Sequence, residues 1–225
     1  MLPTPMVSTI AFVLIVLGLC ALFVWTVQQA TSTRTARRVA AGTALWLVLT
    51  GIVNGTGVLA ASPVFIVGFM VVCNLLALAV ALSPLGDAIA RWAPLWALVG
   101  VQAFRVPLEV VLHDWAMAGS IPLQMSWEGD NIDVISGIVA AVGGLALWRG
   151  WAGQRTAWVV TLIGLGLLGN VAQVAIRSTP GPALSYPATP PLLLAFSFPH
   201  GWIVPFCVSG ALLAHVVALR KLTGR

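Results

Sequence analysis

Residues 102–114 read Q-A-F-R-V-P-L-E-V-V-L-H-D, which sets Arg105, Glu109 and His113 four residues apart inside an apolar run. At ~100° per residue, a helix brings these three side chains and Gln102 within an arc of about 80°. One face is then ionisable, while Phe104, Val106, Leu108, Val110 and Leu112 cover the remainder. A guanidinium, a carboxyl group and an imidazole in such a stripe suit ion pairing, capture of an anionic or polar group, and proton transfer. An arginine at the centre of a membrane helix costs at least about 2.5–3.5 kcal/mol on insertion scales, so it needs a partner or a task. At a spacing of four, Arg105 and Glu109 are expected to neutralise each other. Pro107 lies between them and removes the amide that would bond the carbonyl of Ala103, so the helix is expected to bend there.

Further polar residues interrupt the other apolar runs. Asn54, Asn74, Asn170, Gln173 and His200 are expected to face the stripe. With Gln102, Arg105, Glu109 and His113 they form the candidate ligand-binding set, a buried pocket biased toward the outer half of a membrane. Asp130, Asn131 and Asp133 are placed at its mouth, with Asp130 and Asn131 capping the helix that follows. A purely structural reading competes with this one. In it, Arg105 and Glu109 only lock helix packing, and the four amide side chains only bridge helices. His215 is expected at the interface, near the cytoplasmic end of the last run.

His113 and His200 also support an alternative, a membrane-embedded haem or metal redox site. No C-x-x-C-H segment accompanies them, and Cys20, Cys73 and Cys207 match no zinc spacing. The cysteines are therefore expected to pack as small apolar groups, and no metal or cofactor is assigned. No phosphate-binding loop, G-x-S-x-G or H-E-x-x-H segment occurs, so nothing in the motifs argues for an enzyme.

The elements that hold these residues are legible from hydropathy. Only 8% of the 225 residues are charged and the mean hydropathy is +1.01, a balance that lipid solvates and water does not. Seven apolar stretches stand out, at 7–29, 39–61, 64–83, 93–115, 132–149, 157–176 and 192–219. The expected fold is an all-α polytopic membrane protein, one domain of seven transmembrane helices. Pro199, Gly201 and Pro205 break the last stretch, which divides into an interfacial segment at 192–200 and a span from about Trp202. The connection 177–191 carries five prolines and is expected to form a stiff strap.

Charge sets the expected orientation. Arg34, Arg37, Arg38, Arg91, Arg149, Arg155, Arg220, Lys221 and Arg225 fall on one side, and Arg177 falls with Asp114, Glu128, Asp130 and Asp133 on the other. The positive-inside rule then puts the C-terminus in the cytoplasm and the N-terminus outside. The basic excess reports contact with anionic lipid heads rather than nucleic acid. The first run lacks a basic leader, so it is expected to stay as a helix. A retinal protein is excluded, since the single lysine, Lys221, stands at the cytoplasmic end.

The segment F-R-V-P-L-E-V-V-L-H at 104–113, continued by P-L-Q-M-S-W-E-G-D-N-I-D at 122–133, resembles a family of small polytopic bacterial inner-membrane proteins. The closing W-I-V-P-F-C-V-S-G-A-L-L-A-H-V-V-A-L-R-K-L at 202–222 is similar to theirs. The resemblance implies a multi-pass place in the bacterial inner membrane and no particular activity. The leading expectation is a small-solute or proton-coupled carrier, or a ligand-binding membrane protein. Its partners would be the bilayer and a small anionic or polar ligand. A non-catalytic sensory or interaction subunit is the third expectation.

Overall fold

The computed structural model of the chain describes residues 4–180 and 190–224, and every regular element among them is helical. In chain order the α-helices are α1 (Met6–Ala30), α2 (Thr33–Gly55), α3 (Pro63–Leu82), α4 (Pro84–Trp92), α5 (Leu95–Gly100), α6 (Arg105–Met117), α7 (Val134–Trp148), α8 (Gln154–Ser178) and α9 (Ser209–Thr223). Among the described residues, six helical segments are long and apolar enough to cross a membrane: α1, α2, α3, Leu95–Met117, α8 and His200–Thr223. The seventh apolar helix, α7, has 15 residues. Large apolar side chains such as Val7, Leu14, Val64 and Val142 stand exposed on the outer faces, where lipid rather than water would solvate them.

Two elements begin where hydropathy alone does not look. The polar first turns of α2 include Arg34, Arg37 and Arg38, because Ser32 caps the helix by accepting the Thr35 amide at 3.3 Å. These arginines belong to the helix and not to a connection. The short helix α4 follows a Ser-Pro pair in which Ser83 accepts the Leu85 amide at 3.1 Å. Asp87 sits in its first turn and Arg91 in its last, which suits the helix dipole.

Two crossing segments are broken. Between α5 and α6 the chain tightens to a 3-10 turn over Val101–Phe104. Pro107 leaves the carbonyl of Ala103 without its α-helical donor at that point. The last crossing begins with a 3-10 turn, His200–Trp202, and then widens to a π-helix over Ile203–Val208 before α9 starts. A separate 3-10 turn at Leu194–Phe196 precedes it, so the last apolar stretch is divided, with the crossing segment beginning at His200. The strap expected at 177–191 falls largely on 181–189, outside the described residues.

Missing side chains let α7 approach its neighbours. A Cβ on Gly144 would lie 2.8 Å from the Gly100 Cα, and one on Gly137 would lie 2.8 Å from the Val106 amide nitrogen. Helix α7 therefore lies backbone to backbone against α5 and the start of α6. That closeness brings the N-terminal turn of α7 beside Arg105.

Candidate functional site

Arg105 is 1% exposed and Glu109 is 1% exposed. The expected pair between them is not what holds either one. Arg105 Nη1 donates to Asp133 Oδ1 at 2.8 Å, to Ser136 Oγ at 2.8 Å and to the Gly164 carbonyl at 3.2 Å. Glu109 instead accepts from Asn131 Nδ2, at 3.1 Å on one oxygen and 3.0 Å on the other. Among the described residues no ion pair joins Arg105 to Glu109. Sequence spacing puts Glu109 one turn above Arg105, but the close approach of α7 brings in a better-aligned acid at its N-cap, Asp133. Helix α7 wins.

Asn131 and Asp133 are thus not at a mouth. Both are buried, and Asn131 Oδ1 accepts the Asp133 amide at 3.2 Å while its Nδ2 also reaches the Met125 carbonyl at 3.0 Å. Ser136 Oγ donates to Asp133 Oδ1 at 2.8 Å, which fixes the carboxylate toward the guanidinium. Asp130 is exposed, and its backbone carbonyl accepts from Asn170 Nδ2 at 2.9 Å. The connection 118–133 therefore folds inward and contributes half of the polar cluster.

The remaining candidates divide. Gln102 is buried in the 3-10 turn and donates to the Ala211 carbonyl at 3.0 Å, which ties the two broken segments together. Asn54 is buried and bonds the Thr50 carbonyl of its own helix at 2.7 Å, and its side chain fills the space a Cβ on Gly201 would need. With Trp202 Nε1 donating to the Leu47 carbonyl at 3.1 Å, it docks α2 on the last crossing. Asn74 bonds the Met70 carbonyl at 2.8 Å within α3. Gln173 is exposed. His113 stacks on Trp127 with ring centroids 4.2 Å apart, and its Nε2 lies 3.9 Å from Glu128. His200 is buried against Phe12 and Trp115, with its Nε2 3.4 Å from the Thr9 hydroxyl. The two histidines have different neighbours, and no cluster of three or more His, Cys, Asp or Glu is placed to hold a metal among the described residues. His215 is not interfacial: it is buried, and its ring fills the space a side chain on Gly164 would take.

Some of these residues meet at a cavity of about 350 Å³, near the lower end of the ~300–1,000 Å³ usual for small-molecule sites. Its wall is built from α3, α6, α8, α9, the connection 118–133, the Leu194–Phe196 turn and the π segment. Arg105, Glu109, Asp133, Asn74 and His200 form its polar part, and side chains such as Met70, Leu108, Leu168, Phe196 and Val204 form the much larger apolar part. Asn54, Gln102, His113, Asn170 and Gln173 are not in the wall. Sequence reasoning placed Asn131 and Asp133 too far out and passed over Ser136. The available signal was the G-x-x-A-x-x-x-G spacing at 137–144, which announces a helix that can approach another closely.

Comparison with protein-family models, curated proteins and solved structures finds no match to this chain.

Proposed function

We propose that this chain is a ligand-binding membrane protein, and specifically a small-solute carrier, whose intramembrane cavity takes its ligand against the Arg105–Asp133–Glu109 group. The observation that carries this reading is the cavity of about 350 Å³ with three ionisable side chains grouped in a mostly apolar wall. Ionisable groups within a membrane span are costly, and a wall that leaves space beside them suits a binding site better than a packing lock. The two irregular segments support the same reading. Val101–Phe104 is joined to α9 through Gln102, and the π segment supplies Ile203, Val204 and Cys207 to the wall. Interrupted helices around a mid-membrane cavity suit a site that must open and close.

In the proposed arrangement α7 is a seventh crossing, short at about 22 Å by its rise per residue but lengthened by the ordered connection 118–133. The basic residues at the Arg34, Arg91, Arg149 and Arg220 end mark the cytoplasmic side, and the N-terminus lies outside. The resemblance to bacterial inner-membrane proteins supports that membrane as its place.

Thermal unfolding in detergent against a panel of small amphiphiles tests the reading. At least one compound should raise the Tm of the unaltered chain, since a ligand at a hundred times its Kd stabilises by about 2.7 kcal/mol. The same compound should do nothing for Ala172→Trp, which fills the cavity from α8. A panel that stabilises both proteins equally, or neither, rejects the cavity as a ligand site.

A further inference from the structure

The polar part of the cavity is unbalanced. One guanidinium, Arg105, faces two carboxyl groups, Asp133 and Glu109, and Asp133 alone is ion-paired with it at 2.8 Å. Glu109 meets a neutral amide, Asn131. The groups facing Glu109 can be taken element by element. Its own helix brings Arg105 and His113, and the turn before α7 brings Asp133. The connection brings Glu128 beside His113, and the segment before the π-helix brings His200. Helix α9 brings His215, which lies behind Gly164 on the Arg105 side. Helix α3 brings the neutral Asn74, and α8 brings only a backbone carbonyl. No second permanent cation is among these groups. A buried carboxylate without a counter-charge is costly enough that some cation must accompany it.

When the cavity is empty, a proton on the Glu109 carboxyl group can be that cation. A ligand bearing one positive charge can take its place. The wall is suited to such a body. It is apolar over most of its area, and it includes the rings of Phe104, Trp115 and Phe196, whose faces attract cations. Beyond the cavity, Asp114, Glu128 and Asp130 are exposed against one exposed cation on the same side, Arg177, an acidic excess that draws positive ligands toward it.

We propose that the ligand is a lipophilic monocation, an apolar body with a single amine-type or quaternary ammonium charge, which exchanges for a proton at Glu109. This rests on the cavity being a ligand site, as proposed above. The exchange balances simply. The O–H bond of the Glu109 carboxyl group breaks, the proton goes to water, and the carboxylate left behind faces the ammonium ion. No electrons are transferred. An anionic ligand would instead have to be received by Arg105 Nη2, which is buried without a hydrogen-bond partner, next to the Asp133 carboxylate on Nη1; the sulfate probe below tests that alternative.

The test uses the full chain in nanodiscs and three probes of equal chain length: octyltrimethylammonium, octanol and octyl sulfate. Binding is read by calorimetry at pH 6, 7 and 8 in buffers of different ionisation enthalpy. The ammonium probe should bind tightest. Its affinity should rise with pH, by up to about tenfold per unit while a proton is the competitor, and one proton should be released per probe bound. In Glu109→Gln, which keeps the shape and can still accept from Asn131, both the pH dependence and the preference for the cation should vanish. Should that variant not fold, proton release from the unaltered protein still decides the matter. Tightest binding of octyl sulfate, or cation binding with no proton release, overturns the exchange while leaving the ligand site standing. If none of the three binds, the cavity reading falls and the exchange with it.

Discussion

Arg105 and Arg220 each grip an aspartate from another part of the chain, in opposite surroundings. Arg220 lies near the end of α9 and bonds Asp87 of α4 at 2.5 Å, with the carbonyls of Ala81 at 2.6 Å and Ser83 at 3.1 Å completing its shell. Those carbonyls close the end of α3, where helices leave acceptors unused. Arg91 adds a second contact to Asp87 at 3.6 Å, and Lys221 donates to the Ala90 carbonyl at 2.8 Å. There, cations outnumber the carboxylate and the group is open to its surroundings. Around Arg105 the carboxylates outnumber the cation and the group is shut away beside a cavity. The first arrangement staples helices at the membrane edge. The second leaves a carboxyl group without a permanent counter-ion beside a cavity, and on the reading proposed above the contrast separates a packing pair from a binding one.

Removing the buried cation should have the largest effect. Arg105→Leu leaves Asp133 and Glu109 without compensation and should cost about 3–5 kcal/mol, read as lost folded yield and a lower Tm in detergent. Asn131→Ala comes next. It takes away the donor on which both oxygens of Glu109 rely, and thermal unfolding should report a loss of about 1.5–3 kcal/mol. Gly137→Ala pushes a methyl group into the Val106 backbone. It should destabilise by about 1–3 kcal/mol and, by moving α7 away, weaken any ligand that Arg105→Lys also weakens. Smallest of all, Asp87→Asn at the other arginine should cost less than about 1 kcal/mol, because the aspartate side chain is 35% exposed. About one molar salt should erase that last difference and leave the Arg105 effect in place. Equal costs at the two arginines would dissolve the distinction between them.

Hydropathy locates the crossing segments because a run of some twenty apolar residues matches the thickness of a bilayer core. It misses the first turns of α2 and all of α4, where capping by Ser32 and Ser83, not apolar content, starts the helix. The proline and glycine pattern at 199–205 marks the break in the last crossing, although not its π geometry. At the site, Arg105 and Glu109 are legible as inward-facing because their insertion cost demands it. Their partners are not. A helical wheel sees only neighbours on one helix, whereas Asp133 and Asn131 arrive from a connection that has the composition of a surface loop. His215 is misplaced for a related reason, since position along a span says nothing about the glycine waiting opposite it on α8.

The separation of 28 positions from Arg105 to Asp133 also orders events during synthesis. A ribosome finishes the helix bearing the arginine well before it adds that aspartate. In the interval Glu109, one turn downstream, is the acid already attached to the growing chain and within reach. Until Asp133 is added, the i+4 carboxyl group is therefore the acid on the same helix face that can balance the guanidinium, a pairing that the finished fold no longer displays.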